Sequence, residues 1–141
     1  MIDYENTTLS HYSLEVLQKI TDLSTNLDVE LLLTCKDNIT KINAQFRQID
    51  APTDVLSFPN EPMPMAPLGS IIICDDYVKK VALDLGHSEQ DEFTLLYIHG
   101  LLHLLGFDHE VDSGEMREKE EELIKLFDLP ESLIVRTQKD I

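Results

Sequence analysis

Three of the five histidines in the chain lie within eleven largely apolar residues, HGLLHLLGFDH at 99–109. His99 and His103 are four residues apart, so on a helix their Cβ atoms lie about 6 Å apart on one face. That separation suits two imidazoles that bind one ion at about 2.0–2.1 Å per Zn–N bond. Gly106 can end the helix in a left-handed conformation, after which the chain can turn back and bring His109 to the same ion.

Three neutral nitrogen ligands leave the fourth position of a tetrahedral zinc ion open for water, as in catalytic zinc sites. We therefore predict one Zn2+ per chain, bound by His99, His103 and His109. Two alternatives stay open, namely a chance spacing of histidines and a structural zinc whose fourth ligand is Asp108 or Glu110. Asp108 can equally orient an imidazole N–H without touching the ion.

The spacing of these histidines is similar to that of the metzincin proteases, His-Glu-x-x-His-x-x-Gly-x-x-His. The position after the first histidine is Gly100 here, whereas the proteases carry a glutamate that acts as general base on the zinc-bound water. Glycine cannot transfer a proton. The pattern therefore predicts a metal site and disfavours peptide hydrolysis by the standard mechanism.

The composition of the chain is that of one globular domain. A length of 141 residues and a hydrophobic content of 43% predict a single domain at 1–141 with one core. No apolar run is long enough for a signal peptide or a membrane span, so we expect a cytoplasmic protein with no membrane partner. Cys35 and Cys74 form no CxxC pair and are predicted to be reduced, mostly buried thiols; a single disulfide is the alternative.

The net charge of −16 argues against nonspecific affinity for nucleic acid, and we expect no DNA partner. The charge is uneven along the chain. Residues 110–128 contain eight acidic and three basic residues, a net −5, which we interpret as the solvated face of a helix. Residues 34–49 instead carry +2, from two lysines and Arg47 against one aspartate, so a local basic face remains possible.

Apolar periodicity predicts five helices and three strands. The helices are expected at about 12–24, from Asn38 or Thr40 to about 49, at 75–85, at 88–105 and at 112–127, and the strands at 29–35, 54–58 and 68–74. Residues 59–67 contain four prolines and two methionines and should form an irregular loop. Residues 130–141 carry little signal and are expected to form a loose tail.

The fourth predicted helix carries His99 and His103 and is apolar nearly all round, which is typical of a helix in the middle of a domain. Ser88 and Asp91 resemble a capping box at its start. The histidines should therefore project from a rigid, buried scaffold. Asp112 or Ser113 is expected to cap the last helix.

Two blocks of sequence together carry a resemblance to a known family. One block that carries the resemblance is HGLLHLLGFDH at 99–109. The other begins with Asn43-x-x-x-Arg47 and continues with PTDVLSFP at 52–59. A Gly-His-Ser sequence before the central helix also fits. Together these segments resemble the YbeY family, bacterial endoribonucleases involved in ribosomal RNA maturation, and the match spans roughly residues 40–128.

The resemblance implies an α+β fold, a single domain in which a small mixed β-sheet packs with about five helices, including a metzincin-like metal helix. It also implies zinc bound by the three histidines and a functional arginine, Arg47. The implied activity is that of a zinc-dependent, single-strand-specific endoribonuclease that acts in ribosomal RNA maturation at the small-subunit 3′ end and in ribosome quality control. Its implied partners are single-stranded RNA, ribosomal RNA and ribosomal particles.

Arg47 is interpreted as a phosphate-binding and catalytic residue, because a guanidinium binds phosphate in a bidentate fork. His99 is assigned to catalysis as well as to the metal. Asn43 is expected to face the same cleft as Arg47, and Ser57 is the third candidate for substrate binding. A structural salt bridge is the alternative for Arg47. The metal would polarise a phosphoryl oxygen or lower the pKa of bound water toward about 7; the sequence identifies no general base.

Two residues depart from the family pattern. Ser70 stands where the family commonly has aspartate, and Phe107 replaces a usual tyrosine, so neither a carboxylate nor a hydroxyl role carries over. Two other functions stay open: a ribosome-assembly factor that binds RNA or protein with a mainly structural zinc, and a metallohydrolase of another substrate.

Overall fold

The computed structural model describes residues 1–130, which form a mixed sheet of four strands and five helices. In chain order the elements are β1 (Ile2–Asn6), α1 (Glu15–Ser24), β2 (Val29–Thr34), α2 (Lys36–Arg47), β3 (Val55–Pro59), β4 (Gly69–Cys74), α3 (Asp75–Leu85), α4 (Glu89–Leu104) and α5 (Glu115–Phe127). The predicted α+β class, with a small mixed sheet and five helices, is confirmed. Apart from residue 130, the predicted tail lies outside the described residues.

The sheet has the strand order β1-β2-β4-β3, in which β1, β2 and β4 are parallel and β3 is antiparallel to β4. The strand β1 was not predicted from the sequence pattern. Its side chains do alternate, with Ile2 buried and Asp3 and Glu5 exposed, but three of its five residues are polar or acidic and the run is short. Pairing with the apolar strand β2 stabilises it. At the other end of the sheet, β3 is an edge strand.

The central helix α4 packs closely on the sheet where β3 and β4 pair. Twelve of its sixteen residues are buried, as its sequence predicts. Gly100 allows the close approach, because a Cβ there would lie 2.9 Å from Ile71 Cγ2 and 3.1 Å from Ser57 Oγ. Ser57 also donates a hydrogen bond from Oγ to the carbonyl oxygen of Gly100, 3.1 Å away. The helix is thereby held against the edge strand.

Local capping signals correctly predict where α3 ends and where α4 begins. The Oγ of Ser88 accepts a hydrogen bond from the backbone N–H of Asp91 at the start of α4. Gly86 ends α3 with φ +74°. The helix α5 begins at Glu115, later than predicted. Asp112 nevertheless caps this end of the chain segment, because its carboxylate accepts hydrogen bonds from the backbone N–H groups of Gly114 and Met116.

The start of α2 differs from the prediction. The helix begins at Lys36 rather than at Asn38 or Thr40. The Oδ2 of Asp76, on α3, accepts a hydrogen bond from the N–H of Lys36 at 2.7 Å. A residue 40 positions away therefore satisfies the first turn, which a search for local caps cannot detect. The first helix also begins late, at Glu15 rather than near residue 12.

Three sequence expectations about burial are wrong. The spacing of Ile39, Ile42, Phe46 and Ile49 predicts an apolar stripe on the second helix, yet Phe46 and Ile49 are both exposed. Cys74 is buried as expected, but Cys35 is exposed; both cysteines are free. No helix within residues 1–130 has the length and apolarity needed to cross a membrane.

Candidate metal centre and cleft

The chain reverses at the end of α4 through a helix-capping turn. Gly106 has φ +97°, and its N–H donates to the carbonyl oxygen of His103 at 3.1 Å. The next N–H, that of Phe107, donates to the carbonyl oxygen of Leu102 at 3.0 Å. These two bonds form a Schellman motif, which satisfies carbonyl groups left open at the helix end. The predicted left-handed cap at Gly106 is confirmed, and it sends the chain back toward the helix.

The turn brings the three predicted ligands together. The ring centroids of His99 and His103 are 4.7 Å apart, and that of His109 lies 5.3 Å from the first and 5.7 Å from the second. One ring nitrogen from each histidine can be chosen so that all three atoms lie within 4.8 Å of one another. This spacing is compatible with one metal ion.

Hydrogen bonds orient two of the three imidazoles. The Nδ1 of His99 lies 2.7 Å from Glu120 Oε2, and the Nδ1 of His103 lies 3.0 Å from the carbonyl oxygen of Phe107. Because a carboxylate and a carbonyl only accept, both Nδ1 atoms carry the proton in the neutral rings and both Nε2 atoms carry a lone pair. These two hydrogen bonds leave the Nε2 atom of each ring as the candidate metal ligand.

The two Nε2 atoms of His99 and His103 lie 3.2 Å apart. When both rings carry their proton on Nδ1, the lone pairs of the two Nε2 atoms face and repel each other at this distance. A cation bound by both nitrogens would replace this repulsion with an attraction. Two nitrogens bound tetrahedrally at about 2.0–2.1 Å from one zinc ion lie about 3.3 Å apart. The spacing of these two nitrogens is therefore compatible with a zinc ion.

The environment of His109 and the pKa of His103 also favour metal binding. The Nδ1 of His109 is buried and has no hydrogen-bond partner in the described part of the chain. Burial lowers the pKa of the His103 imidazole, and the neighbouring His99 lowers this pKa further. A lowered pKa favours the neutral ring, which is the form that binds metal.

Glu120 belongs to the candidate site although its sequence pattern was not interpreted in this way. The acidic run 110–128 was interpreted as a solvated helix face, which is wrong for this residue because it is 1% exposed. A signal was present in the sequence. Met116, Glu120 and Leu123 follow each other at intervals of four and three, so the carboxylate lies on the inward stripe of α5.

A cavity of about 580 Å³ opens beside the histidines. Its wall includes all three histidines, Arg47 and residues of the edge strand β3. Arg47 reaches it from α2, and no ion pair holds this guanidinium within residues 1–130. The alternative role of Arg47, a structural salt bridge, therefore has no partner residue within residues 1–130. Among the described lining residues Arg47 is the one lysine or arginine, whereas Asp54, Asp108 and Glu110 supply carboxylates.

The structure does not bring Asn43 to the cavity. Asn43 is only 3% exposed, and its Nδ2 donates to the carbonyl oxygen of Ala51 at 2.8 Å. The expectation that it faces the cleft beside Arg47 is wrong, because on α2 its side chain turns inward to hold the loop before β3. Ser57 does line the cavity, although its hydroxyl donates to Gly100 of α4.

The two departures from the family pattern lie in different places. Phe107 lines the cavity, so its lack of a hydroxyl affects the wall of the site. Ser70 pairs with Phe58 in the sheet and lies 3.4 Å from Glu30 Oε2, measured from its Oγ. It does not line this cavity.

Comparison with known proteins decides the family. A family model described as endoribonuclease YbeY matches residues 2–128. The chain belongs to the YbeY endoribonuclease family. It is 54% identical over 138 residues to the endoribonuclease YbeY of Sulfurimonas denitrificans, covering 98% of this chain and 99% of the relative. The Helicobacter pylori strain J99 protein of the same name is 50% identical over 140 residues, with 99% of each chain covered.

A solved structure supports the fold of this YbeY member. The solution structure of a Thermotoga maritima protein superposes with a TM-score of 0.57 at 33% sequence identity. The superposition covers 79% of this chain and 75% of that chain. The family that the two sequence blocks indicate is therefore confirmed.

Proposed function

We propose that this endoribonuclease cleaves single-stranded RNA with one zinc ion held by His99, His103 and His109. One observation carries the proposal: Arg47, free of ion pairs within the described residues, opens onto the same cavity as the three histidines. A cation-binding histidine set next to a free guanidinium is suited to a phosphodiester, whose negative charge grows during the reaction.

Hydrogen bonds hold two of the three proposed zinc ligands in the orientation that zinc binding requires. Glu120 and the carbonyl of Phe107 each hold one imidazole with its Nε2 toward the centre of the cluster. A bound zinc ion would supply Lewis-acid chemistry, polarising a phosphoryl oxygen and lowering the pKa of water. His99 is thus proposed as both metal ligand and catalytic residue.

Arg47 is proposed to hold the scissile or an adjacent phosphate. Lysine could supply the charge but not the planar fork that binds two phosphate oxygens at once. With a net charge of −16 on the chain, attraction for RNA has to be local, and Arg47 supplies a guanidinium at the cleft. Ser57 is proposed to contact substrate through lone pairs that remain after its donation to Gly100.

The proposed reaction breaks one P–O bond of the RNA backbone. If water attacks, one water molecule is consumed, one product ends in phosphate and the other in a hydroxyl group. If the neighbouring 2′-hydroxyl attacks, the first product is a cyclic phosphate. Three carboxylates line the cavity and are the candidates to accept the proton, namely Asp54, Asp108 and Glu110.

The proposed biological substrate is ribosomal RNA, at the small-subunit 3′ end, with ribosomal particles as partners in the cytoplasm. This part of the proposal is supported by membership of the YbeY family. We propose that residues 1–141 form one domain for this task.

The decisive experiment is a cleavage assay on end-labelled single-stranded RNA with the purified protein, whose metal content is measured by elemental analysis. Cleavage that stops with a chelator and returns with added zinc supports the proposal. Duplex RNA and single-stranded DNA of the same sequence should stay intact. Tight binding to ribosomal particles with no turnover of any RNA would instead support the assembly factor.

A further inference from the structure

Phe46 presents an exposed aromatic ring directly before Arg47 on α2. The side chain is 60% exposed. Its ring centroid lies 5.7 Å from that of Phe58 on β3, with the planes at 59°. Phe58 is partly buried and packs on the cluster formed by Ile39, Leu56 and Ile72. The ring of Phe46 is therefore supported from one side, while the larger part of its surface remains open to solvent.

The edge strand β3 separates Phe46 from the cavity. Val55, Ser57 and Pro59 alternate along the strand and line the cavity with the histidines. Side chains between them, such as Phe58, point to the opposite face of the sheet, where α2 lies. Arg47 belongs to α2 yet lines the cavity together with residues of β3, whose outer edge is free in the described sheet. A polymer held by Arg47 can leave the cavity across this edge and meet Phe46.

We propose that Phe46 is a stacking site for one nucleobase of single-stranded RNA, next to the phosphate held by Arg47. This inference rests on the proposed function. The pair of consecutive residues offers a guanidinium and an aromatic face, and a nucleotide offers a phosphate and a π-face. Aromatic side chains stack on any base, which suits a protein that binds unpaired RNA. Bases in a duplex are already stacked and cannot use the site.

The charges of the cleft favour this occupant over a purely electrostatic contact. The carboxylates of Asp54, Asp108 and Glu110 line the cavity and oppose an RNA backbone. A stacked base adds affinity that these carboxylates weaken little, because the contact depends on surface area more than on charge. Removing one such contact is expected to weaken RNA binding about tenfold.

The chain contains no tryptophan, so Phe46→Trp provides a fluorescent reporter at the proposed site. Stopped-flow mixing with a short single-stranded RNA should quench its emission before cleavage occurs. In a series of otherwise identical RNAs, each with one abasic site at a different position, only one position of the abasic site should abolish the quench. The control is Leu83→Trp on α3, which is 83% exposed and should report no quench.

Kinetics test the same site without a reporter. Phe46→Leu should raise KM for single-stranded RNA about tenfold, whereas Phe46→Tyr should keep KM near the wild-type value. Leu83→Ala is the matched control and should change neither KM nor kcat. A thermal melt of each variant shows whether it is folded.

Three results would overturn the inference. An unchanged KM for folded Phe46→Leu, with wild-type cleavage intact, removes the stacking site and leaves the proposed function standing. A changed sedimentation of the Phe46→Leu variant, with RNA kinetics unchanged, assigns the ring to a protein contact. A wild-type protein that neither binds nor cleaves RNA overturns the proposed function and, with it, this site.

Discussion

The imidazole of His99 donates from Nδ1 to the carboxylate of Glu120, with 2.7 Å between Nδ1 and Oε2. Both residues are buried, and they come from different helices, α4 and α5. The bond leaves the Nε2 of His99 turned toward His103, 3.2 Å away. The last described helix is thus part of the candidate metal centre, although it contributes no ligand.

Glu120→Gln should weaken zinc binding about tenfold or more, because a neutral amide stabilises the metal-bound imidazole less than a carboxylate does. Competition with a fluorescent chelator measures this affinity directly. Glu118→Gln, an exposed change on the same helix, is the control and should bind zinc as the wild type does. Equal zinc affinity for both variants would return Glu120 to a purely structural role.

His103→Ala should abolish stoichiometric zinc binding, since it removes one of three ligands. Elemental analysis is expected to find one zinc per wild-type chain and far less in the variant. Imidazoles bind metal in the neutral form, so occupancy of the wild type should fall below about pH 6. The exposed His11 provides the control variant, His11→Ala. Full zinc content in His103→Ala would show that the site is wrong.

Gly106→Ala should cost about 1–3 kcal/mol of stability, because its φ of +97° strains any residue with a Cβ. It should also weaken zinc binding, since the turn that returns His109 would shift. Gly86→Ala is a matched control: its φ is +74°, and at neither glycine would a new Cβ meet an atom within 4 Å. Calorimetry should find similar losses in both, with reduced zinc affinity confined to Gly106→Ala.

Arg47→Lys should reduce the rate of RNA cleavage while leaving the melting temperature nearly unchanged. The charge stays, but the bidentate fork is lost, and no ion pair of the fold within residues 1–130 depends on Arg47. Arg117→Lys on α5 makes the same change at an exposed arginine away from the cavity and serves as the control. An unchanged rate in Arg47→Lys, or a large loss of stability, would contradict the phosphate-binding role.

The zinc-loaded wild type should cleave no peptide, because Gly100 stands where metzincin proteases carry their general base. An unbiased peptide library analysed by mass spectrometry tests this, and chelator-sensitive cleavage well above background would contradict it. Gly100→Glu should not create a protease. Even Gly100→Ala should lower stability by about 1–3 kcal/mol, since a Cβ would lie 2.9 Å from Ile71 Cγ2.

The cluster of three histidines could be predicted from sequence alone because the residues that form it are close together along the chain. Helix geometry places His99 and His103 on one face, and a glycine with positive φ turns the chain so that His109 returns. The end of α3 and the start of α4 could be predicted for the same reason, because Gly86 and Ser88 cap helices that lie next to them in the sequence. Eleven consecutive residues contain all three histidines of the cluster.

Contacts between distant residues were decided only by tertiary structure. Glu120 meets His99 across 21 positions, Asp76 satisfies the first turn of α2 across 40, and Asn43 turns inward to a loop rather than into the cleft. Arg47 of α2, the histidines and residues of the edge strand β3 line one cavity, although they come from distant parts of the chain. Periodicity and capping signals report on neighbours along the chain, whereas these contacts depend on how helices and strands pack against each other.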